Sequence, residues 1–309
     1  MHKISILLST YNGAKHLKEQ LDSLYAQTYS NIEIAARDDG SSDNTIEILK
    51  SYDVKLLMAK ENLGAKGSFA ELLSYAVTNS ESDYFMFCDQ DDIWKNNKVE
   101  KTFAKMQEME EEFDNIPLLV HTDLEVVDEH LHTISPSMWA YEYINPSKNS
   151  LNHLLVHNTI TGCAMMINRK LAELSLPISS NSIMHDWWIG LVASSFGKIG
   201  YIDETTIKYR QHGLNDTGAK KYSYLSIMQK VYNLLFGNEL DIRLLRKNIK
   251  QSKAFLEIYN AILNDEVKLM LENFSNIESK SFIEKRKIIV KYKLFKYGII
   301  RNIGLLLRV

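Results

Sequence analysis

Cysteine and proline are scarce in this chain, with two of the first and four of the second among 309 residues. Two cysteines cannot build the disulfide framework on which small secreted domains depend. Cys88 and Cys163, both inside apolar runs, therefore read as reduced core residues of a cytoplasmic protein. No apolar stretch reaches the roughly 18 residues that a transmembrane helix requires. The first apolar run, Ile4 to Leu8, is too short for a signal peptide and no small-residue cleavage site follows it. Internal repeats and low-complexity tracts are also missing. What remains is a length suited to one large domain and an appendage, at roughly 100–200 residues per domain.

Charge is present but unevenly spread. Residues 284–309 hold eight Lys/Arg and one acid, which leaves 28 basic and 38 acidic residues before them, or −10. An acidic body without a basic stripe interleaved with aromatics argues against nucleic-acid binding. The basic tail, KRKIIVKYKLFKYGIIRNIGLLLRV, points to an anionic partner, or to a solvated helix face.

Strand and helix patterns alternate through the first two-thirds. Ile4–Ser9, Ile32–Arg37, Val54–Ala59 and Tyr84–Cys88 are short apolar runs between polar turns, the pattern of strands buried on both faces. Helical spacing falls on Lys15–Gln27, Asn44–Ser51 and Ser68–Val77, with Asn44 and Glu47 at capping-box spacing. The βαβα order predicts an α/β fold with a mostly parallel, Rossmann-like sheet flanked by helices. A charged helix over Lys95–Phe113 and strands at Leu118–Asp128, Cys163–Ile167 and Thr206–Arg210 follow. A helix at Asp186–Phe196 precedes the last of these, and Ser135–Ser150 reads as a loop over the site. From about Tyr222 the pattern is helical, including Asp241–Asn264. The division expected is 1–218 for catalysis and 219–309 for a helical extension.

Four constellations carry chemistry. Asp38-Asp39-Gly40-Ser41 follows the second strand, where open α/β sheets bind ligands. A carboxylate there can accept the imide N3–H of uracil or thymine, although the same residues also make a turn and helix cap. Asp89-Gln90-Asp91-Asp92 follows the apolar strand YFMFC. Its crowded carboxylates call for a hard cation, Mg²⁺ or Mn²⁺, able to clamp a diphosphate leaving group. His185-Asp186-Trp187-Trp188 opens an apolar helix and suits a sugar platform beside a general base, or a capped helix with core tryptophans. The helix N-terminus should lower the Asp186 pKa. Last, His212 can ligate metal or touch phosphate, and Arg210 can pair with phosphate.

Taken in order, STYNG, RDDGSSD, ENLG, CDQDDIW and HDWW resemble glycosyltransferase family 2 over roughly Ile4 to His212. The resemblance implies a GT-A fold, inversion at the anomeric carbon and a divalent cation. It implies that Thr10, Tyr11, Asp38 or Asp39, and Asn62 hold the donor nucleotide, and that Asp89 and Asp91, with His212, hold metal. Asp186 would be the base, although relatives often carry Glu where His185 stands. Asp92, Trp94, His185, Trp187, Trp188 and Arg210 would face the sugar and acceptor. The DQDDIW and HDWW pair is most similar to bacterial rhamnosyltransferases, which use dTDP-L-rhamnose to build cell-wall or capsular polysaccharide. The expected partners are a nucleoside-diphosphate sugar and a lipid-linked glycan. The helical tail would lie on the inner face of the cell membrane, or dock on the catalytic domain or a second subunit.

Other readings compete. A UDP-sugar-dependent hexosyltransferase would share the fold, and a two-metal phosphatase or nuclease would need more carboxylate or His ligands than the motifs supply. A sugar-phosphate nucleotidyltransferase needs a Gly-rich basic loop after the first strand, which STYNGAK matches poorly. A nucleotide-sugar-binding scaffold would keep the fold without the chemistry.

Overall fold

A computed structural model of the chain describes residues 2–59, 61–212, 218–222 and 243–309. The predicted helix from Asp241 thus begins outside the described residues, as does everything expected of 223–242.

Nine strands form one sheet among the described residues. They are β1 (Ile4–Thr10), β2 (Ile32–Asp38), β3 (Lys55–Met58), β4 (Tyr84–Cys88), β5 (Ile93–Trp94), β6 (Leu118–Val127), β7 (Thr133–Ser135), β8 (Met165–Asn168) and β9 (Lys198–Arg210). Their order is β3-β2-β1-β4-β8-β6-β9-β5, with β7 on β6. The first four strands pair in parallel, as the alternating pattern predicts. The second half is mixed: β8 runs antiparallel to β4 and β6, while β9 is parallel to β6 and antiparallel to β5. The two-residue strand β5 ends just before the charged helix expected from Lys95, and that helix begins only at Lys98.

Period-two alternation explains why the sheet is covered on both faces. Leu7, Phe85 and Phe87 enter one core, whereas Ile4, Ile6, Leu8, Tyr84, Met86 and Cys88 enter the other. Helices α1 (Leu17–Tyr25), α2 (Thr45–Lys50), α3 (Gly64–Asn79) and α4 (Lys98–Glu112) follow the early strands. In α4 the buried Val99, Phe103 and Met106 recur at helical spacing and pack on the second core. The predicted capping box of α2 does not form. Asn44 makes no side-chain cap, and Asp43 accepts from Thr45 N at 3.1 Å instead.

The segment expected as a loop over the site carries α5 (Met138–Glu142) and buries Met138 and Trp139. Asp123 anchors it, accepting from Ser137 Oγ and from the amides of Met138 and Trp139. Then come α6 (Leu151–Leu154), a 3₁₀ turn at Gly162–Ala164, α7 (Arg169–Ser175) and α8 (His185–Phe196). Cys163 lies in that turn rather than in a strand. Both cysteines are buried and free, as expected.

Four C-terminal helices complete the described chain: α9 (Arg243–Tyr259), α10 (Asp265–Ser275), α11 (Phe282–Lys291) and α12 (Ile299–Arg308). Their inner faces join the first core. Phe255, Leu271, Phe274, Ile289 and Leu305 belong to the same buried cluster as Leu7, Phe85 and Trp188. No described helix is long and apolar enough to cross a membrane.

Candidate active site

Three parallel strands bring the acidic motifs together. Thr10 pairs with Asp38, and Leu8 with Cys88, so the segments leaving β1, β2 and β4 emerge at one edge of the sheet. A cavity of about 350 Å³ opens there, bordered by Tyr11, Asp39, Asn62, Asp89, Asp91 and Asp186, with His185 and Tyr209 in its wall. A second cavity, about 340 Å³, shares Tyr11, Gln90 and Asp91 and adds Lys15, His16, Glu129 and His212.

The two neighbours in the first motif divide their work. Asp38 is buried beneath the turn and is saturated. Its carboxylate accepts from Gly40 N at 3.1 Å, Ser41 N at 2.8 Å, Thr10 Oγ1 at 3.0 Å and Ser41 Oγ at 2.5 Å. Thr10 and Asp38 thus shape the loop and do not border the cavity. Asp39 does border it. Its carboxylate pairs with Arg37 and accepts from the amides of Leu63 and Gly64, the latter at 2.7 Å. Asp39 therefore also fixes the ENLG loop that carries Asn62. Above them, the Tyr11 ring is half exposed.

Gln90, which the sequence reading passed over, is the clasp between motifs. Its Oε1 accepts from Tyr11 N at 2.8 Å and its Nε2 donates to Tyr11 O at 3.0 Å. Gly13 gives it room, because a Cβ there would lie 2.1 Å from Gln90 Oε1 and the amide would have to shift away.

The acidic triplet splits. Asp91 borders both cavities and meets His212, whose Nε2 is 2.7 Å from Asp91 Oδ2. The His16 ring stacks on His212 with centroids 5.4 Å apart, and burial, then Arg210, lowers the His16 pKa. Ligand atoms of Asp89, Asp92 and Cys163 lie within 4.8 Å of one another. Burial, with Asp91 and Asp89 nearby, pushes the Asp92 carboxyl well up. Burial likewise raises the Cys163 thiol, which stays protonated and is a poor ligand at neutral pH. Asp92 Oδ2 is buried without a hydrogen bond of normal geometry. The set that converges is thus two carboxylates and a thiol, with the Asp91–His212 pair beside it, and its oxygens are the kind a hard divalent cation takes.

Five of the predicted sugar and acceptor contacts lie elsewhere. Asp92 is fully buried and accepts from Arg210 N at 3.0 Å. Arg210 is spent on the protein, donating to Asp91 O and Glu129 O at 2.8 Å each and pairing with Glu19 at 2.5 Å. Trp94 is in the second core under the ammonium of Lys98, 4.6 Å from the ring centroid. Lys98 is itself fully buried with no hydrogen-bond partner among the described residues, and burial lowers it to about 8. Trp187 and Trp188 are core residues whose indole N–H groups donate to Leu154 O and Ser175 O. They form no sugar platform, because a ring satisfied inside offers no face to a ligand.

His185 and Asp186 do reach the cavity, at the start of α8. No side chain caps this helix from Met184, so Asp186 accepts from Trp187 N at 2.5 Å. The expected lowering of the Asp186 pKa is reversed. Burial lifts it to about 7, against hydrogen bonds from Trp187 N, the Asn158 side chain and Gly162 N. Desolvation outweighs the helix end because the carboxylate leaves water while the dipole contributes only about 0.3–2 kcal/mol. His185 packs against Phe69 and Phe87, with centroids 4.2 and 5.1 Å away, and burial lowers it to about 3, so it is neutral. Gly162 makes room for it, since a Cβ there would come 2.8 Å from His185 Nε2.

A mixed sheet with carboxylates at its parallel end and a buried acid across the cavity defines an α/β fold of the GT-A kind. Residues 5–175 match the family described as Glycosyl transferase family 2, and the chain belongs to that family. An uncharacterized glycosyltransferase of Rickettsia typhi is 30% identical over 219 residues, covering 69% of this chain and 65% of that protein. The dTDP-rhamnosyl transferase RfbG of Shigella flexneri is 26% identical over 241 residues, covering 72% and 79%. Among solved structures, S. aureus TarS 1–349 in complex with UDP-GlcNAc aligns with a TM-score of 0.52 at 14% identity, covering 96% of this chain and 93% of that one.

Proposed function

We propose that this chain transfers a sugar, with inversion, from a nucleoside-diphosphate donor to an acceptor hydroxyl, using Asp186 as general base. The observation that carries the reading is the buried Asp186 carboxyl at the cavity wall, lifted to about 7 and therefore able to take a proton near neutrality. His185 beside it is neutral and adds no competing charge. Asp89, Asp91 and His212 would hold Mn²⁺ or Mg²⁺, which supplies charge stabilisation for the departing diphosphate. Tyr11, Asp39 and Asn62 border the same cavity and would receive the base and ribose.

The donor we propose is dTDP-L-rhamnose, supported by the kinship with the Shigella flexneri enzyme. The acceptor we propose is a lipid-linked glycan. It is supported by Phe282, Ile283, Val290, Ile299 and Ile303, exposed on α11 and α12 among the basic residues of the tail. Such a face suits an anionic membrane surface, while the inner faces of the same helices pack on the catalytic core. Residues 1–218 would thus carry the chemistry and 219–309 its attachment.

Calorimetric titration of dTDP, UDP, GDP and CDP, with and without Mn²⁺, tests this on wild type and Asp91→Asn. Metal-dependent preference for dTDP, lost in the variant, is expected. A UDP preference would keep the enzyme class and remove rhamnose. Absence of all binding in a folded sample would overturn the donor site and leave the acidic motifs as turns and caps.

A further inference from the structure

The segment that delivers Asp186 to the cavity is the chain between α7 and α8, residues 176–184. It has little regular structure, yet it is tied down from two sides. From α3, Lys66 Nζ donates to Ser180 O at 2.6 Å and to Ser182 O at 2.9 Å. From α9, Gln251 Oε1 accepts from Ile183 N at 2.8 Å, and Gln251 is 1% exposed. The same helix braces both flanks of the loop. Tyr259 Oη donates to Leu174 O at 2.7 Å, and Phe255 packs edge-on against Trp188 with centroids 5.5 Å apart. Neither Lys66 nor Gln251 borders the main cavity, and neither belongs to the motifs of the family resemblance.

We infer that Gln251 and Lys66 are positioning residues, which hold residues 176–184 closed so that Asp186 meets the acceptor hydroxyl in a site sealed from water. This rests on Asp186 being the base. The helical extension is then part of the catalytic apparatus. Gln251 reaches across 68 positions of sequence to fix an amide three residues before Asp186.

The physical chain is short. Freeing the Ile183 amide removes the Gln251 anchor just before α8, and an unsatisfied part-buried N–H will draw in water. Water at Asp186 weakens the desolvation that lifts its pKa. The other ionisable groups around that cavity are Tyr11, Asp39, Asp89, Asp91, His185 and Tyr209, and none of them is altered by the change. A loosened base should therefore ionise at lower pH and accept the proton less well.

The test compares Gln251→Met, which keeps the volume and loses the acceptor, with Gln251→Glu, which keeps an acceptor oxygen. Lys66→Met is a second, independent release of the loop should the Gln251 variants not fold. Transfer by the full chain is measured against pH with saturating acceptor, with wild type and Asp186→Asn as references. For Gln251→Met and Lys66→Met the inference expects kcat about tenfold lower, donor KM unchanged, and the acid limb moved down by about one pH unit. Gln251→Glu should return the limb to its wild-type place. A kcat loss with an unmoved limb would mean plain destabilisation and would overturn the inference, as would variants equal to wild type. Normal transfer by Asp186→Asn would instead overturn the reading of the base.

Discussion

Replacing Asp186 with asparagine does two things at once, and the less obvious one has a definite sign and size. It removes a carboxyl that burial has lifted from the ordinary 3.8 to about 7. In the unfolded chain that group ionises near the ordinary value, whereas in the folded chain it keeps its proton until about pH 7. Between the two the folded state binds more protons, so the contribution is intact at the acid end and is lost as pH rises through this window. The gap corresponds to roughly 4 kcal/mol at about 1.4 kcal/mol per pH unit. Asparagine keeps the volume and an acceptor oxygen for Trp187 N, but never ionises. The variant's stability advantage over wild type should therefore grow from near zero at about pH 4 to roughly 4 kcal/mol above pH 7, and then level off. Urea unfolding of both proteins from pH 4.5 to 8.5, without donor, reads this directly. An advantage that is constant with pH, or that shrinks as pH rises, would refute the argument. In the same samples transfer should fall by about 10²–10⁴-fold, the usual size of a general-base contribution.

Further outcomes follow from other positions. Wild-type kcat should fall about tenfold per pH unit below about 7, because the Asp186 carboxyl is then protonated; a flat profile from pH 5 to 8 would exclude it as base. Trp188→Ala should cost about 3–5 kcal/mol in urea unfolding, since the ring is fully buried against Phe255 and Tyr259, yet leave donor affinity of the folded fraction intact. Lys98→Met should be neutral or stabilising by about 1–2 kcal/mol, because it removes a buried ammonium that has no hydrogen-bond partner among the described residues. A loss of more than about 2 kcal/mol there would show that the ammonium is needed beside Asp92 and the cysteines.

The parallel half of the sheet was legible because each of its strands is a short apolar run ended by turn residues. The antiparallel half was harder. Strand β5 is only Ile93–Trp94, and no periodicity can be read from two residues. The site was legible where chemistry forces an unusual cluster: Asp89, Asp91, His185 and Asp186 all reach the cavities. It was misread where a side chain's direction decides the role. Asp38 and Asp39 are adjacent in sequence, yet one is sealed by four hydrogen bonds and the other meets the cavity. Trp187, Trp188, Trp94 and Arg210 have types that suit a sugar site, and burial assigns them to the interior. Gln90 gave no signal, because its value lies in what it bonds to 79 positions away. The Asp186 pKa went the other way because depth cannot be judged from sequence.

The Gln90 clasp bears on any effort to retarget the enzyme. Its amide meets Tyr11 as a neighbouring strand would, with one donated and one accepted bond, so the Tyr11 wall of the cavity and the acidic motif are tied into one piece. On the proposed reading, changes on the Tyr11 side of the cavity will therefore disturb the acidic motif, and an ion held by Asp89 and Asp91 would tug on Tyr11. A library that varies Tyr11 or Asn12 while holding residue 90 fixed samples only the backbones that glutamine permits. Varying residue 90 together with Gly13, whose missing side chain gives the amide its room, would loosen both constraints at once.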